Sequence, residues 1–210
     1  MVSLPAVMFL EPRMVPVPLL AASLMLSIIV LAREHHALDK RGFGWALGAR
    51  VIGTVAAILL IPSDVTGEYR WVLGAILLIA AALSATDRFV LKPNSVTLSF
   101  AGLLSGLMGT STSVGGPAMG LVYRREELPR LRSTLAAYFI AGNTISLVAL
   151  AIAGRFGATE LRLSALTIPA VLIGERLGRP IGTMVSEKTL RGSVLLLVVV
   201  GGTIALAQGI

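Results

Sequence analysis

The residues best suited to bind a ligand lie in one short segment, "GLMGTSTSVGGPAMG" at 106–120. It carries a run of four hydroxyl side chains followed by Gly-Gly-Pro, which interrupts a helix. A helix that restarts after such a break directs free backbone N–H groups and a partial positive charge beyond its first turn. These features suit a small anion such as a carboxylate, sulfite or sulfonate. The candidate binding residues are Gly109, Thr110, Ser111, Thr112, Ser113, Gly115, Gly116 and Pro117.

A packing role for the same glycines is the alternative. Gly102–Gly106 and Gly116–Gly120 both have the four-residue spacing of close helix–helix contacts in membranes. Catalytic interpretations fit poorly. A phosphate-binding loop needs a lysine that this segment lacks, and a serine nucleophile needs a neighbouring base. The two histidines, His35 and His36, lie in a distant loop, and the chain has no cysteine. We therefore predict no enzyme, no metal site and no cofactor.

Three further polar residues lie in or near predicted helices. Asn143 is at the middle of an apolar helix, where it either bonds a neighbouring helix or lines a cavity. Arg132 begins the same helix, as an interface anchor or as a substrate contact. Arg50 lies about two turns into another helix, where it either snorkels to the membrane surface or contacts an anion.

The elements that must position these residues are those of a membrane protein. The 210 residues are 55% hydrophobic and 14% charged, with a mean hydropathy of +0.86. Apolar runs long enough to cross roughly 30 Å of hydrocarbon recur along the chain. The net charge of +7 comes from lysines and arginines scattered between these runs, so we predict a lipid bilayer partner and no nucleic acid. The predicted helices are 14–32, 43–61, 69–87, 95–109, 115–123, 132–153, 160–178 and 189–208.

The two short helices, 95–109 and 115–123, are predicted to form a re-entrant hairpin. If both ends of the hairpin lie on one side, most lysines and arginines fall on the cytoplasmic side, as the positive-inside rule requires. "VSLPAVMFL" (2–10) also resembles "VGGPAMGLV" (114–122). The predicted fold is an all-α polytopic membrane protein built from two inverted repeats, 1–92 and 93–210, within one membrane domain. Broken half-helices lie near the midplane of this fold.

The stretch "SFAGLLSGLMGTSTSVGGPAMGLVYRREELPRLRSTLAAYFIAGNTIS" resembles the second-half signature of the TauE/SafE sulfite exporter family. Its glycine-rich broken segment ends in Gly-Pro and is followed by a polar loop and an Arg-Ser-Thr helix start. The ending "GERLGRPIGTMVSEKTLRGSVLLLVVVGG" is similar to the last two helices of that family. The resemblance implies a multi-pass transporter of the bacterial inner membrane that exports small organosulfur or related anions.

The beginning of the chain departs from the family pattern. It starts inside the first-repeat motif, with Leu4 in place of the expected glycine and with Pro5 as the counterpart of the second-repeat proline. We therefore expect the start of the first repeat to be missing. The predicted function is export of a sulfite-like or sulfonate-like anion, with a second copy of the chain as a candidate partner. The alternative is a membrane scaffold or assembly subunit that transports nothing.

Overall fold

The computed structural model describes residues 15–35, 42–60, 92–123 and 126–184, together with isolated positions between 75 and 82 and between 196 and 203. Within these residues all regular structure is helical, which confirms the predicted all-α class. The helices are α1 (Val17–Glu34), α2 (Phe43–Leu60), α3 (Ser95–Thr112), α4 (Gly116–Val122), α5 (Leu128–Ile152) and α6 (Ala158–Met184).

Three of the described helices are long and apolar enough to cross a membrane. They are α1, α2 and α5, with mean hydropathies of 1.8, 1.8 and 1.9. Their outward faces carry large apolar side chains, including Leu59 and Ile152, which are 78% and 83% exposed. Exposed apolar surface of this extent suits contact with lipid.

Glycines bring α2 and α3 into direct contact. A Cβ atom added at Gly102 would collide with the backbone of Ala46, and one added at Gly106 would collide with the backbone of Arg50. Gly102 faces Ala46 and Gly106 faces Arg50, so residue numbers increase in the same direction along both helices. Helices α2 and α3 therefore run parallel. The packing interpretation of Gly102 and Gly106 is therefore correct.

The short helix α4 folds back along α3 as a hairpin. Gly115 approaches Ser105 so closely that a Cβ would lie 2.8 Å from the Ser105 carbonyl oxygen. Further along α4, Met119 packs with Leu98 and Ala101 near the start of α3. The two predicted segments therefore form a hairpin, and its re-entry into the membrane stays a prediction.

The ends of the helices fall into two groups. Near the end of α1, Glu34 pairs with Arg132 at the start of α5, and Phe43 packs against the cluster that contains Leu98. At the opposite end Leu20 packs with Leu150, and Arg155 donates a hydrogen bond to the Ile58 carbonyl over 2.9 Å. Helices α1 and α5 therefore run antiparallel. Inverted repeats require this arrangement, although the repeat relationship itself stays a prediction.

The observed helix bounds differ from the predicted ones at helix ends that are set by local hydrogen bonding. The α5 helix begins at Leu128, before the predicted 132, because Pro129 in its first turn needs no N–H partner. The α3 helix begins with a capping box between Asn94 and Thr97, and it continues through Thr112 instead of ending at 109. Most of the predicted helices at 69–87 and 189–208 lies outside the described residues.

Candidate functional site

Arg50 is the centre of a buried polar cluster between α2, α3 and α5. Its side chain is 0% exposed. The guanidinium donates from Nη1 to Ser105 Oγ over 2.9 Å and from Nη2 to Asn143 Oδ1 over 3.0 Å. The head group also lies 5.1 Å from the Tyr138 ring centre and 5.8 Å from that of Phe139. Arg50 therefore does not snorkel to the surface.

Two glycines provide the space for this guanidinium. A Cβ at Gly142 would collide with Arg50 Nε and Cζ, and one at Gly109 would lie 3.3 Å from Nη2. Burial of a guanidinium is costly unless hydrogen bonds and nearby π-electrons replace its hydration. Within the described part of the chain no carboxylate forms an ion pair with Arg50. Its positive charge is therefore not neutralised there.

The bond to Arg50 fixes the orientation of the Asn143 amide. A guanidinium only donates hydrogen bonds, so the amide oxygen must face it. The Asn143 Nδ2 group then points away from Arg50 and donates to Ser23 Oγ of α1 over 3.1 Å. Asn143 thus bonds neighbouring helices and also lines a cavity, so the two sequence-based interpretations of this residue hold together.

That cavity lies between α1, α5, α6 and the break before α4, and its volume is about 600 Å³. Most of its wall is apolar. Its uncharged polar surface comes from Ser23, Ser27, Asn143 and the break residues Ser113, Gly115 and Gly116. Phe139 and Asn143 stand between the cavity and Arg50, so the buried charge lies directly behind this wall.

Charged residues surround one end of the cavity. Arg33 of α1 pairs with Glu175 of α6 through both carboxylate oxygens. The next residue, Glu34, pairs with Arg132 of α5 over 3.6 Å. All four line the cavity. The Arg132 side chain is 62% exposed, so this end faces outward from the helix bundle.

The hydroxyl run splits between local and distant partners. Ser111 and Thr112 bond backbone carbonyls of their own helix, Leu107 and Met108, over 2.7 and 2.8 Å. These bonds keep both residues helical, and neither lines the cavity. Ser113, in the left-handed conformation at φ 63°, ends α3, and its hydroxyl donates to the Pro16 carbonyl over 2.9 Å.

Thr110 belongs to a second polar layer between three helices. Its hydroxyl lies 3.1 Å from Thr54 Oγ1 of α2 and 2.8 Å from Ser146 Oγ of α5. All three residues are at most 2% exposed. This layer lies about one helical turn from Arg50, since Thr54 follows it by four residues.

The structure therefore brings part of the predicted site together. Ser113, Gly115, Gly116, Asn143 and Arg132 line one cavity, while Arg50 and Gly109 lie behind its wall. Pro117 is buried in the first turn of α4, and Pro5 lies outside the described residues. Sequence reasoning did not identify Ser23, Ser105, Phe139 and the Arg33–Glu175 pair. Their contacts join distant parts of the chain, and no local pattern marks them.

The family model described as sulfite exporter TauE/SafE matches residues 1–204. The chain belongs to the TauE/SafE family. The resemblance of 99–146 and 174–202 to this family is thereby confirmed. TauE/SafE proteins are membrane transporters for sulfite and related anions, so the cavity and its polar wall lie in a protein of a transporter family. No curated protein and no solved structure matches the chain.

Proposed function

We propose that this TauE/SafE protein exports a small sulfur oxyanion, sulfite or an organosulfonate, as a multi-pass protein of the bacterial inner membrane. The anion binds in the 600 Å³ cavity between α1, α5 and α6. A volume of this order accommodates small molecules. The apolar part of the wall, which includes Leu19, Leu26 and Val30, also suits the carbon chain of a sulfonate.

The observation that carries this proposal is the hydrogen bond from Arg50 to Asn143 Oδ1. This bond turns the Asn143 N–H groups away from Arg50, toward Ser23 and the cavity. The wall thus presents donors, and a positive charge without an acidic partner in the described structure lies behind them. A charged residue held at such cost in a membrane protein is a functional candidate. Donors backed by a buried cation favour an anion in the cavity.

Asn143→Asp tests the proposal because the two side chains have nearly the same shape. The variant keeps the oxygen that accepts from Arg50, and it replaces the donor group with a negatively charged oxygen. If Asn143 faces the substrate, repulsion and the lost donor lower the apparent affinity for sulfite by about 10- to 100-fold. The measurement is sulfite flux in proteoliposomes over a range of concentrations, with thermal melting as a check on folding.

A purely structural role of Asn143 makes the opposite prediction. If Asn143 only joins helices, a carboxylate beside Arg50 forms an ion pair and leaves the fold intact or more stable. An Asn143→Asp protein that melts at or above the parent temperature and transports sulfite at the parent rate would contradict the proposed site. Absence of sulfite and sulfonate flux in the parent protein would contradict the proposed function as a whole. Asn94→Asp is the matched control, because Asn94 is exposed, does not line the cavity and keeps the oxygen that accepts from Thr97 N.

A further inference from the structure

Two ion pairs join three helices at the outer end of the cavity, and both begin from consecutive residues of α1. Arg33 pairs with Glu175 of α6, and Glu34 pairs with Arg132 of α5. Consecutive residues of a helix point about 100° apart, so one helix reaches both neighbours. The four side chains all line the cavity. We call them the mouth cluster.

The exposure of the side chains in the mouth cluster allows its arginines to change their anionic partners. The guanidinium side chains are 41% and 62% exposed, whereas the carboxylates of Glu175 and Glu34 are 12% and 29% exposed. Glu34 Oε2 is buried without a hydrogen-bond partner in the described structure. Its carboxylate is therefore only partly satisfied by Arg132. The exposed guanidinium groups are accessible to a dissolved anion, whereas the carboxylates are more enclosed, so the arginine is the member of each pair that an arriving anion can reach.

An oxyanion offers arginine the same chemistry as a carboxylate. Sulfite, sulfonate and carboxylate groups all present several negatively charged oxygens to the forked guanidinium donors. A substrate anion arriving at the mouth cluster therefore competes directly with Glu175 for Arg33 and with Glu34 for Arg132. Release of either carboxylate removes the ion pair that joins α1 to a neighbouring helix at this end of the cavity.

We propose that the mouth cluster is a gate and an outer anion-binding site of the transporter. The two ion pairs close the cavity, and the substrate oxyanion opens it by replacing Glu175 and Glu34 on the arginines. This inference rests on the proposed export function, and it adds the route by which the anion reaches the inner wall at Asn143. In the topology predicted from charge, the mouth cluster faces the cytoplasm, the side from which an exported anion enters.

The chain has no cysteine, so a single introduced cysteine reports access to the cavity. Ala22 lines the cavity about 17 Å along α1 from Arg33. Ala22→Cys is labelled in inside-out membrane vesicles with a cationic, membrane-impermeant thiol reagent. Neutralising an acidic residue makes a cationic reagent less concentrated at the mouth. Faster labelling after such a change therefore reports opening and not electrostatic attraction.

We expect Glu175→Gln and Glu34→Gln to accelerate labelling of Ala22→Cys by about 5- to 10-fold, because each weakens one ion pair. Exchanging the charges, with Arg33→Glu and Glu175→Arg together, restores the slow rate. Glu126→Gln is the matched control, since Glu126 pairs with Arg130 over 3.3 Å and does not line the cavity. Methanesulfonate, which does not react with thiols, accelerates labelling of the protein with the intact mouth cluster.

Two results would overturn the gate. One is labelling at the parent rate in the combined Glu34→Gln and Glu175→Gln protein. The other is a labelling rate that methanesulfonate leaves unchanged at concentrations that inhibit sulfite flux. The first measurement uses no substrate, so the gate is judged separately from export. Failure of the proposed function appears instead as absent flux in the parent protein.

Discussion

Arg50 occupies the space that a side chain at Gly142 would need. A Cβ at residue 142 would collide with Nε, Cζ and Cδ of the arginine, which is held between α2 and α5 and cannot withdraw to the surface. A glycine on one helix and an arginine on another thus form one unit. The glycine decides where the buried positive charge lies, and through Asn143 it decides which groups face the cavity.

Gly142→Ala is expected to displace Arg50 and to destabilise the protein by about 1–3 kcal/mol, the usual cost of overpacking. Thermal melting of the purified protein in detergent measures the change. Gly174→Ala is the control, because a Cβ at that helical position meets nothing within 4 Å. Equal melting temperatures for both variants would contradict the tight fit of Arg50 against α5.

Thr110→Val is expected to destabilise the protein by about 1–3 kcal/mol, because it removes the hydroxyl shared by Thr54 and Ser146 without changing the side-chain shape. Denaturation in mixed micelles measures the loss. Thr144→Val is the control, since Thr144 is exposed and bonds only the Ile140 carbonyl of its own helix, and we expect it to change stability by less than about 0.5 kcal/mol. Similar losses for both variants would show that the buried layer contributes nothing specific.

Single cysteines at Ser95 and Ala158 test the orientation in the membrane. Both positions are exposed, and they lie at opposite ends of the helix bundle, Ser95 with the end of α1 and Ala158 with its start. In intact cells an impermeant reagent is expected to label Ala158→Cys and not Ser95→Cys. In inside-out vesicles the pattern reverses. Labelling of both from one side would contradict the arrangement.

Export is expected to respond to the membrane potential. A monovalent anion leaving a cell that is negative inside gains about 2.3 kcal/mol per 100 mV, which corresponds to a concentration ratio near 50. Sulfite efflux from proteoliposomes should therefore rise when a potassium gradient and valinomycin make the interior negative. Efflux that ignores the potential and stops when a pH gradient is removed would indicate proton coupling instead.

The sequence was most informative about the helices and the break between them, and least informative about which side chains contact each other. The helix break was predicted correctly from Gly115, Gly116 and Pro117, because no strong helix former interrupts these three residues. The hydroxyls of Ser111 and Thr112 were expected at the break, yet they bond carbonyls of their own helix and stay within it. A single sequence does not show whether such a hydroxyl bonds a carbonyl of its own helix or faces the break.

Arg50 shows what local pattern cannot predict. Its position near a helix end favoured snorkelling, but Gly109 and Gly142 on other helices make a space for it in the interior. The pair of Arg33 and Glu175 likewise joins residues 142 positions apart. Such contacts follow from the assembled fold, which the periodicity of apolar residues does not encode.

The glycine contact between α2 and α3 has a mechanical consequence. A Cβ at Gly53, Gly102 or Gly106 would collide with the main chain of the facing helix, so the two backbones touch without intervening side chains. Such a contact has no rotamers that could change to let one helix slide past the other. In any rearrangement of the helix bundle α2 and α3 are therefore expected to move as one rigid body that carries Arg50. Movement against the rest of the bundle is taken up at the contact with α5, which side chains form, among them Arg50 with Asn143 and Tyr138.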